Sequence, residues 1–393
     1  MTTAPLAGVR AVDASSFLSG PFAAMMLADL GADVIKVEPP GGDPYRRVGR
    51  PATAIGPLFA SVNRGKQSHV LDLKTESGRT GLRTLLESAD IFLTNWRPDV
   101  AARLGLVDSD LARANPRLVR VYLTGYGTSG PLAEAPTYDS TIQARSGLTL
   151  AQSRDDRPVF TPGYPVDKLS SAFAVQAVLA ALLQRERTGQ GQRVELAMLD
   201  ASAYFNFPDL FASRVLVEHE PAQARNIQAA LVRAIRAKDG WLVVTPVTSA
   251  EMRRAAEAVG LPGLADAALR APDIATLMGI LYDGLEQATS LQTLADCLEA
   301  FARHDVAAAP CLDIDDHLAD AQVQHNRLYR VDRFDGVGLV RRVRYPATFQ
   351  EAPESFGAGP PPMLGDHQHA GWSEACWQQH RGATSSEPTA EGS

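Results

Sequence analysis

One carboxylate in this sequence stands where it could act as a nucleophile. Asp167 follows the run Thr161-Pro-Gly-Tyr-Pro-Val and precedes the apolar segment 172–183, so a loop is predicted to pass into a helix at this residue. The positive end of a helix dipole stabilises a carboxylate there, and a carboxylate is a competent nucleophile towards an activated acyl group. An Asp before a helix is more often an N-cap, and residue type alone favours that role by roughly nine to one.

A dinucleotide site is a second chemistry that the N-terminal residues suggest. Segment 30–38 resembles the second half of such a site, with Glu38 available for a ribose. That interpretation requires a glycine fingerprint between the first strand and the first helix. Segment 14–21 contains a single glycine, Gly20, and Pro21 follows it, so NAD binding is not expected.

A glycine-rich run occurs later in the chain. Gly125-x-Gly127-x-x-Gly130 follows a predicted strand, but Pro131 and no clear helix come next. A phosphate-binding loop needs a helix at that point. We therefore expect a turn that shapes the wall of the active site and offers backbone amides to an oxyanion.

The elements that must position these residues alternate between strands and helices over the first 200 residues. This alternation predicts an α/β fold, a Rossmann-like, mostly parallel sheet with helices on both faces. The predicted strands are Val9–Asp13, Asp33–Glu38, Val70–Leu73, Ile91–Thr94 and Leu118–Thr124, and the predicted helices are Pro21–Leu30 and Thr75–Glu87.

The chain changes character after about residue 205. Residues 205–325 are rich in helical spacing, with helices expected at Glu251–Val259 and Leu291–His304 and one strand at Trp241–Thr245. This pattern predicts a smaller α+β domain. Segment Arg341–Phe349 is predicted to be a strand that rejoins the first domain, and the polar residues 381–393 are predicted to be a disordered tail.

Composition excludes several classes of function. The chain has 393 residues, 45% of them hydrophobic, and a net charge of −7, so neither nucleic-acid nor anionic-membrane binding is expected. No apolar run is expected to span a bilayer, and the N-terminus does not resemble a signal peptide. Cys297, Cys311 and Cys376 have no metal-site spacing, and no metal is expected. These features favour a cytoplasmic protein.

Several motifs in register along the chain identify a family resemblance. Asp167, its apolar helix, Arg185-Glu-Arg-Thr-Gly-Gln-Gly-Gln and Val194-Glu-Leu-Ala-Met-Leu-Asp resemble the class III CoA-transferases. This superfamily includes formyl-CoA transferase, carnitine CoA-transferase and α-methylacyl-CoA racemase. The matching motifs elsewhere are Ser19-Gly-Pro21, Leu27-Ala-Asp-Leu-Gly-Ala-Asp, Asn63-Arg-Gly-Lys66, Leu71-Asp-Leu-Lys74, Gly125-Tyr-Gly-Thr-Ser-Gly-Pro131 and Pro362-Met-Leu-Gly-Asp-His367.

The resemblance implies an architecture that composition alone does not. It implies a large CoA-binding domain built from both chain ends, with residues 1–204 as its N-terminal part and 326–380 as the C-terminal return. Residues 205–325 would form the small domain. Two such ring-like subunits are expected to interlock as a homodimer.

The resemblance also implies where coenzyme A binds as a substrate. Lys74 and Arg103 would bind phosphates, and Trp96 would pack on the adenine or the pantetheine arm. Some family members carry an arginine near the adenine where this chain has Pro39-Pro40, and Arg46, Arg47 or Arg50 is expected to compensate. The full set of expected CoA-binding residues is Phe17, Leu18, Ser19, Leu71, Lys74, Asn95, Trp96, Arg97, Arg103, Tyr138 and Met198.

Tyr138 separates the two reactions that the family carries out. Racemases of the family have a histidine at this position as one of two proton carriers, and tyrosine is a poor base near neutral pH. The second racemase carboxylate aligns near Thr248, although Glu251 is close by. We therefore expect transfer rather than racemisation.

The sequence thus predicts an acyl-CoA:carboxylate CoA-transferase. Asp167 would attack the donor thioester and then carry CoA as an aspartyl thioester, which an acceptor carboxylate would attack. Two alternatives stay open. One is an acyl-CoA racemase or isomerase that uses Asp167 as an acid or base, and the other is a catalytically silent protein that binds CoA esters.

Overall fold

The chain divides into two compact units in the computed structural model. The first unit comprises Met1–Leu210 and Asn326–Ser393, and the second comprises Phe211–His325. The structure describes residues 4–49, 55–153, 157–218, 232–351, 359–368 and 371–372. The predicted tail 381–393, Arg50 and Cys376 lie outside the described residues.

A six-stranded sheet organises the first unit. Its strand order is β3-β2-β1-β4-β5-β6, and every neighbouring pair is parallel. This confirms the predicted α/β fold with a parallel sheet, and the order is that of a Rossmann sheet. The strands are β1 (Arg10–Asp13), β2 (Asp33–Glu38), β3 (Lys66–Val70), β4 (Ile91–Thr94), β5 (Val119–Thr124) and β6 (Arg193–Ala197).

The helices of this unit connect the strands and cover the sheet. The central strands β1, β4 and β5 are fully buried, as expected when helices pack on both faces of a parallel sheet. The helices are α1 (Ser19–Asp29), α2 (Pro57–Asn63), α3 (Glu76–Glu87), α4 (Pro98–Arg103), α5 (Asp108–Ala114), α6 (Asp139–Arg145), α7 (Leu148–Ala151), α8 (Pro165–Thr188) and α9 (Met198–Leu210), with a short 3₁₀ helix at Pro44–Arg47.

Strand β3 corrects one prediction. A strand was expected at Val70–Leu73, but it runs from Lys66 to Val70 and has the polar sequence Lys-Gln-Ser-His-Val. Lys66 and Ser68 are buried together with charged partners. The Lys66 ammonium contacts the Asp13 carboxylate, and the Ser68 hydroxyl donates to Glu38. Hydrophobic patterning cannot detect a strand whose burial is paired in this way.

Helix α8 is the core helix of the first unit. By length and composition it could cross a membrane, contrary to the expectation that no segment could. Its apolarity has a different cause, because Val166, Ala174 and Val178 are fully buried in the largest hydrophobic cluster together with sheet residues such as Val121. Helix α8 also packs closely on α1. Gly189, with φ of 72°, ends the helix.

The C-terminal part of the first unit adds a separate hairpin. Strands β10 (Tyr329–Phe334) and β11 (Gly338–Val343) pair antiparallel with each other. The strand predicted at Arg341–Phe349 therefore starts earlier, and in the described residues it does not join the six-stranded sheet. Both chain ends contribute to the unit, but in the described residues the six strands all come from its N-terminal part, residues 10–197, so the expectation of a sheet built from both chain ends is wrong.

Residues 362–368 run beside the edge strand β3. The Gln368 side-chain amide donates to the Val70 carbonyl and accepts from the Val70 amide, and the Gly365 amide donates to the Ser68 hydroxyl. An edge strand exposes unpaired backbone groups that invite association. The C-terminal segment occupies part of that edge.

The second unit contains an antiparallel three-stranded sheet and a set of helices. Its strands are ordered β7-β8-β9, and its core includes Leu242, Leu281 and Phe301, all fully buried. The strands are β7 (Ala234–Arg236), β8 (Trp241–Val244) and β9 (Ala308–Pro310). The helices are α10 (Ser249–Ala258), α11 (Leu264–Ala268), α12 (Ile274–Thr289), α13 (Leu294–Arg303), α14 (Ile314–Ala319) and α15 (Ala321–His325).

Candidate active site

The strand order creates a crevice between the two halves of the six-stranded sheet. The chain leaves β1 towards β2 on one side and leaves β4 towards β5 on the other, so the loops after β1 and β4 diverge. In open α/β sheets, ligands bind outside the carboxyl ends of the strands at such a switch point. The loops concerned are 14–18 and 95–97.

A buried charge network underlies the loop after β1. The Asp13 carboxylate accepts from Lys66 Nζ at 2.8 Å and lies 3.7 Å from Lys36 Nζ, while Lys36 also donates to the Ser15 carbonyl at 2.9 Å. Burial opposes the ionisation of Asp13, but Lys36 and Lys66 outweigh it and lower its pKa to about 2. The network therefore stays charged at neutral pH and fixes the start of the loop.

Side chains from distant elements hold the rest of the loop. The Asn95 amide, in the loop after β4, accepts from Ser16 N at 3.0 Å and donates to Ser16 O at 2.8 Å. The Asp43 carboxylate accepts from Phe17 N at 3.3 Å. Phe17 has φ of 66°, a left-handed conformation that costs a non-glycine residue about 1–2 kcal/mol. These hydrogen bonds compensate for that strain, and strained residues of this kind cluster at functional sites.

Asp167 lies in the first turn of α8, as the sequence predicts, but it does not cap the helix. The N-cap position is Tyr164, and no side-chain cap bond comes from it. The two amides Val166 N and Asp167 N donate instead to Oδ2 of Asp139, at 2.7 and 3.0 Å. The capping role that residue type favoured for Asp167 therefore belongs to Asp139, 28 residues earlier.

The environment of Asp167 opposes its ionisation. Burial has the largest effect and the neighbouring Asp139 charge adds to it, while a hydrogen bond with the Ser19 side chain acts in the opposite sense. Together they raise the pKa of Asp167 from 3.8 to about 7. A carboxylate that is more basic than usual is a stronger nucleophile once it is ionised. Titratable groups shifted in this way cluster at functional sites.

A cavity of about 720 Å³ opens over Asp167. It lies at the carboxyl ends of β1, β4, β5 and β6, because its walls come from the loops that follow these strands. A volume of this size suits a small-molecule ligand. The lining includes Ser16, Phe17, Ser19, Tyr45, Asn95, Trp96, Arg97, Thr124, Gly125, Thr137, Tyr138, Asp139, Gln143, Phe160, Thr161, Tyr164, Asp167 and Met198.

The cavity brings together most of the site residues expected from the sequence. Trp96 packs edge-on against Phe92, with ring centroids 6.2 Å apart, and Phe17 lies edge-on to Tyr138 at 5.9 Å. The expected residues in the lining are Asp167, Phe17, Ser19, Asn95, Trp96, Arg97, Tyr138 and Met198. Their contacts with CoA remain predictions.

Four expected CoA-binding residues do not line this cavity. Leu18 is buried at the N-terminus of α1 in a cluster with Tyr45. Leu71 and Lys74 follow β3, two strands away from the switch point. Arg103 is exposed at the end of α4 and pairs with the Asp99 carboxylate at 2.6 Å. Any contact of these side chains with a bound CoA would therefore occur beyond the cavity.

Two arginines expected to compensate at the adenine end are already engaged. Arg46 is buried and forms a two-point ion pair with Glu38, and its guanidinium lies 3.7 Å from the centre of the Phe59 ring. Arg46 is thus already paired within the fold, and a contact between it and the adenine stays a prediction. The exposed Arg47 donates to the Gly41 carbonyl at 3.2 Å.

The glycine run contributes less to the site than its spacing suggests. Gly125 lines the cavity, and a Cβ there would lie 2.3 Å from Thr137 Oγ1, so the close packing requires glycine. The Gly127 amide donates to Thr124 Oγ1 at 3.0 Å, so it is not free for an oxyanion in this conformation. Gly130 is not part of the lining.

The residues that bear on racemisation also have defined positions. Tyr138 is 62% exposed and lines the cavity, so a phenol stands at the position where a racemase base was expected. Thr248 and Glu251 form a capping box at the start of α10. The Glu251 carboxylate accepts from Thr248 N at 2.7 Å, and Glu251 N donates to the Thr248 hydroxyl at 3.2 Å. Glu251 is thus engaged in helix capping.

Sequence reasoning did not anticipate the roles of several cavity residues. Asp139 and Gln143 are buried and hydrogen-bonded to each other, and Gln143 also bonds to Thr161. The one signal available was the spacing, because an Asp at the first position of a helix and a Gln four residues later face the same side. Tyr45, Phe160 and Tyr164 have no distinguishing pattern in the sequence.

Comparison with known proteins gives a consistent result. Residues 6–368 match the family described as CoA-transferase family III. The succinate–glutarate CoA-transferase of Agrobacterium fabrum is 34% identical over 93% of this chain and 94% of its own length. The succinyl-CoA:glutarate CoA-transferase of Mus musculus is 32% identical over 92% of this chain and 84% of its own length.

A solved structure agrees with the fold described above. The crystal structure of a CaiB/BaiF family protein from Brucella suis superimposes with a TM-score of 0.81 at 28% sequence identity. The alignment covers 94% of this chain and 98% of the Brucella protein.

Proposed function

The chain belongs to CoA-transferase family III, and we propose that it moves CoA from an acyl-CoA donor to a free carboxylate through a thioester on Asp167. The observation that carries the proposal is the position of Asp167. It lines the cavity in the first turn of α8, its helix amides are capped by another carboxylate, and its pKa is raised to about 7. Its carboxylate is therefore not engaged by its own helix amides, and its ionised form can act as a nucleophile.

The proposed reaction proceeds through four acyl transfers. The Asp167 carboxylate attacks the donor thioester carbonyl and expels CoA thiolate, leaving a mixed anhydride. The thiolate attacks the Asp167 carbonyl and expels the donor acid, which gives an aspartyl-CoA thioester. The acceptor carboxylate attacks this thioester and expels CoA thiolate. The thiolate then attacks the acceptor acyl group and restores the Asp167 carboxylate. No proton is consumed, and the energy of the thioester is preserved.

Each attack develops an oxyanion that needs hydrogen-bond donors. Helix α1 begins at Ser19, which lines the cavity. The N-cap residue Leu18 forms no side-chain hydrogen bond with the first amides of the helix. Backbone amides there, together with the Gly125 segment, are the proposed donors. The positive end of the α1 dipole also favours negative charge at this point.

The first substrates to test follow from the names of the relatives. Those names specify succinyl-CoA, succinate and glutarate. Arg97 is exposed at the cavity and is the one cationic side chain among its described lining residues, so it is the proposed partner for an anionic substrate group.

Trapping of the intermediate tests the proposal. Enzyme incubated with succinyl-CoA and then treated with hydroxylamine or borohydride should yield a single modified peptide, and that peptide should contain Asp167. Asp167→Asn should show no modification and should lose transfer activity by about three orders of magnitude or more. Asp200→Asn removes an exposed carboxylate from the first turn of α9 and serves as the matched control. Modification at another residue, or full activity of Asp167→Asn, would contradict the mechanism.

A further inference from the structure

Asp139 occupies an unusual position beside the proposed nucleophile. It is 3% exposed, it begins α6, and its carboxylate reaches the first turn of a different helix. Oδ2 accepts from Val166 N and Asp167 N, and Oδ1 accepts from Gln143 Nε2 at 2.5 Å. These contacts join α6 to the start of α8 at the floor of the cavity.

The hydrogen bonds around Asp139 define its charge. Thr161 N donates to Gln143 Oε1 at 3.0 Å, and a backbone amide can only donate, so the Gln143 oxygen must face Thr161. The Gln143 nitrogen therefore faces Asp139. Asp139 then receives three donors on two oxygens, which is the pattern of an ionised carboxylate.

We propose that Asp139 is a positioning residue for the nucleophile: its buried carboxylate caps the first turn of α8 in place of Asp167 and holds a fixed negative charge against it. The inference rests on the proposed function only in treating Asp167 as the nucleophile. Capping by a separate residue leaves the Asp167 carboxylate free of its own helix amides. Had Asp167 capped the helix itself, its oxygens would be engaged and its basicity reduced.

The charges that face Asp167 identify Asp139 as the main electrostatic contributor. The Asp139 charge adds to the effect of burial in raising the pKa of Asp167. The other ionisable groups nearby are the phenols of Tyr45, Tyr138 and Tyr164, the exposed Lys168 in α8 and Arg97 at the cavity wall. Burial and the neighbouring Tyr164 and Asp167 groups raise the pKa of Tyr45, so this phenol is neutral when Asp167 titrates.

The test measures the titration of Asp167 directly in the free enzyme. Protein labelled with 13C at the aspartate side-chain carboxyl is titrated by NMR, and the Asp167 signal is assigned by its absence in Asp167→Asn. Asp139→Asn keeps an acceptor oxygen for the α8 amides but removes the charge. The titration midpoint of Asp167 should then fall by about one pH unit or more, because the variant removes the negative charge that adds to burial in raising the pKa of Asp167. The lower limb of the pH profile for transfer should move the same way.

A second variant restores the hydrogen bonds that Asp139→Asn disturbs. In Asp139→Asn, the new side-chain amide nitrogen would face the Gln143 nitrogen. In the double variant Asp139→Asn/Gln143→Glu, this nitrogen faces a carboxylate oxygen instead, and Thr161 N still meets an acceptor. The 3.3 Å hydrogen bond from Gln143 Nε2 to the Thr161 carbonyl is lost. The double variant should recover part of the lost stability. Its Asp167 should still titrate at lower pH than in wild type, because the negative charge no longer lies on the side chain that accepts from the α8 amides. In the control variant Asp200→Asn, Asp167 should titrate with the same midpoint as in wild type.

Two outcomes would overturn the inference. One is an Asp167 midpoint that stays at the wild-type value in Asp139→Asn, or in the double variant if the single variant does not fold. The other is a midpoint that falls equally in Asp200→Asn. The titration needs no substrate, so the two proposals can fail separately. A protein that transfers no CoA in any assay would refute the proposed function, but it would not change the conclusion about Asp139 from the titration.

Discussion

The backbone nitrogen of Asp167 lies 3.0 Å from Oδ2 of Asp139, so two aspartates with different roles lie at the N-terminus of α8. Asp139 takes the amides of the first turn, and Asp167 faces the cavity. The free amides at this terminus stabilise the Asp139 carboxylate through hydrogen bonds. The Asp167 carboxylate is left partly desolvated and more basic than a free Asp.

The raised pKa of Asp167 predicts a stability cost at neutral and higher pH. Between pH about 4 and about 7 the native state keeps a proton that the unfolded chain has lost, so the free energy of unfolding falls as pH rises through this window. Asp167→Asn removes that dependence. The variant should unfold at a higher temperature than wild type at pH 8 and at a similar temperature at pH 4.5. Each unit of pKa shift corresponds to about 1.4 kcal/mol, so the gain should be a few kcal/mol at most.

Thermal unfolding at both pH values checks this prediction. Asp200→Asn, which changes an exposed carboxylate, should follow the wild-type pH dependence. The prediction is wrong if Asp167→Asn and wild type differ in stability by the same amount at pH 4.5 and pH 8. Ionisation of Asp167 would then not destabilise the native state.

Asn95→Ala should impair the site by releasing the loop after β1. The change removes both hydrogen bonds to Ser16, and Phe17 would lose the support that its left-handed conformation needs. We expect a loss of about 1–3 kcal/mol in stability and a larger relative loss in kcat/KM for transfer. Calorimetry and initial rates measure the two effects.

Asn115→Ala is the matched control for that variant. Asn115 also bridges backbone groups, donating to Leu86 O and Ala89 O at 2.9 and 2.8 Å, but it does not line the cavity. It should lose similar stability and keep its kcat/KM. Equal losses of kcat/KM in both variants would mean that the Asn95 bonds serve the fold alone.

Tyr138 predicts that the enzyme leaves the α-proton of a 2-methylacyl-CoA in place. A phenol is a weak base near neutral pH, and Glu251 is engaged in a capping box. NMR in deuterated water should show no enzyme-dependent exchange at the α-carbon, while the same preparation transfers CoA between carboxylates. Fast exchange without transfer would favour a racemase. Tyr138→His should bring at most slow exchange.

The family resemblance predicts a homodimer. Light scattering at micromolar concentration should give a mass of about twice 42.1 kDa for the active protein. A stable and active monomer would contradict this assembly.

The sequence by itself determined the parts of this protein that local patterns encode. The apolar strands β1, β2, β4 and β5 and the helix that begins near Asp167 follow from periodicity and from residues close in the chain. The family resemblance could also be identified from the sequence, because it depends on residue identity and on the spacing and order of the motifs. The family match over residues 6–368 confirms it.

Only the tertiary structure decided which polar residues form hydrogen bonds and ion pairs with one another. Asn95 holds Ser16 from 79 residues away, and Asp139 caps the helix of Asp167 from 28 residues away. The strand at Lys66–Val70 escaped prediction for the same reason, since its lysine is buried against Asp13, 53 residues distant. A buried polar group is stable only with its partner, and a partner brought close by the fold leaves no periodic trace in the sequence.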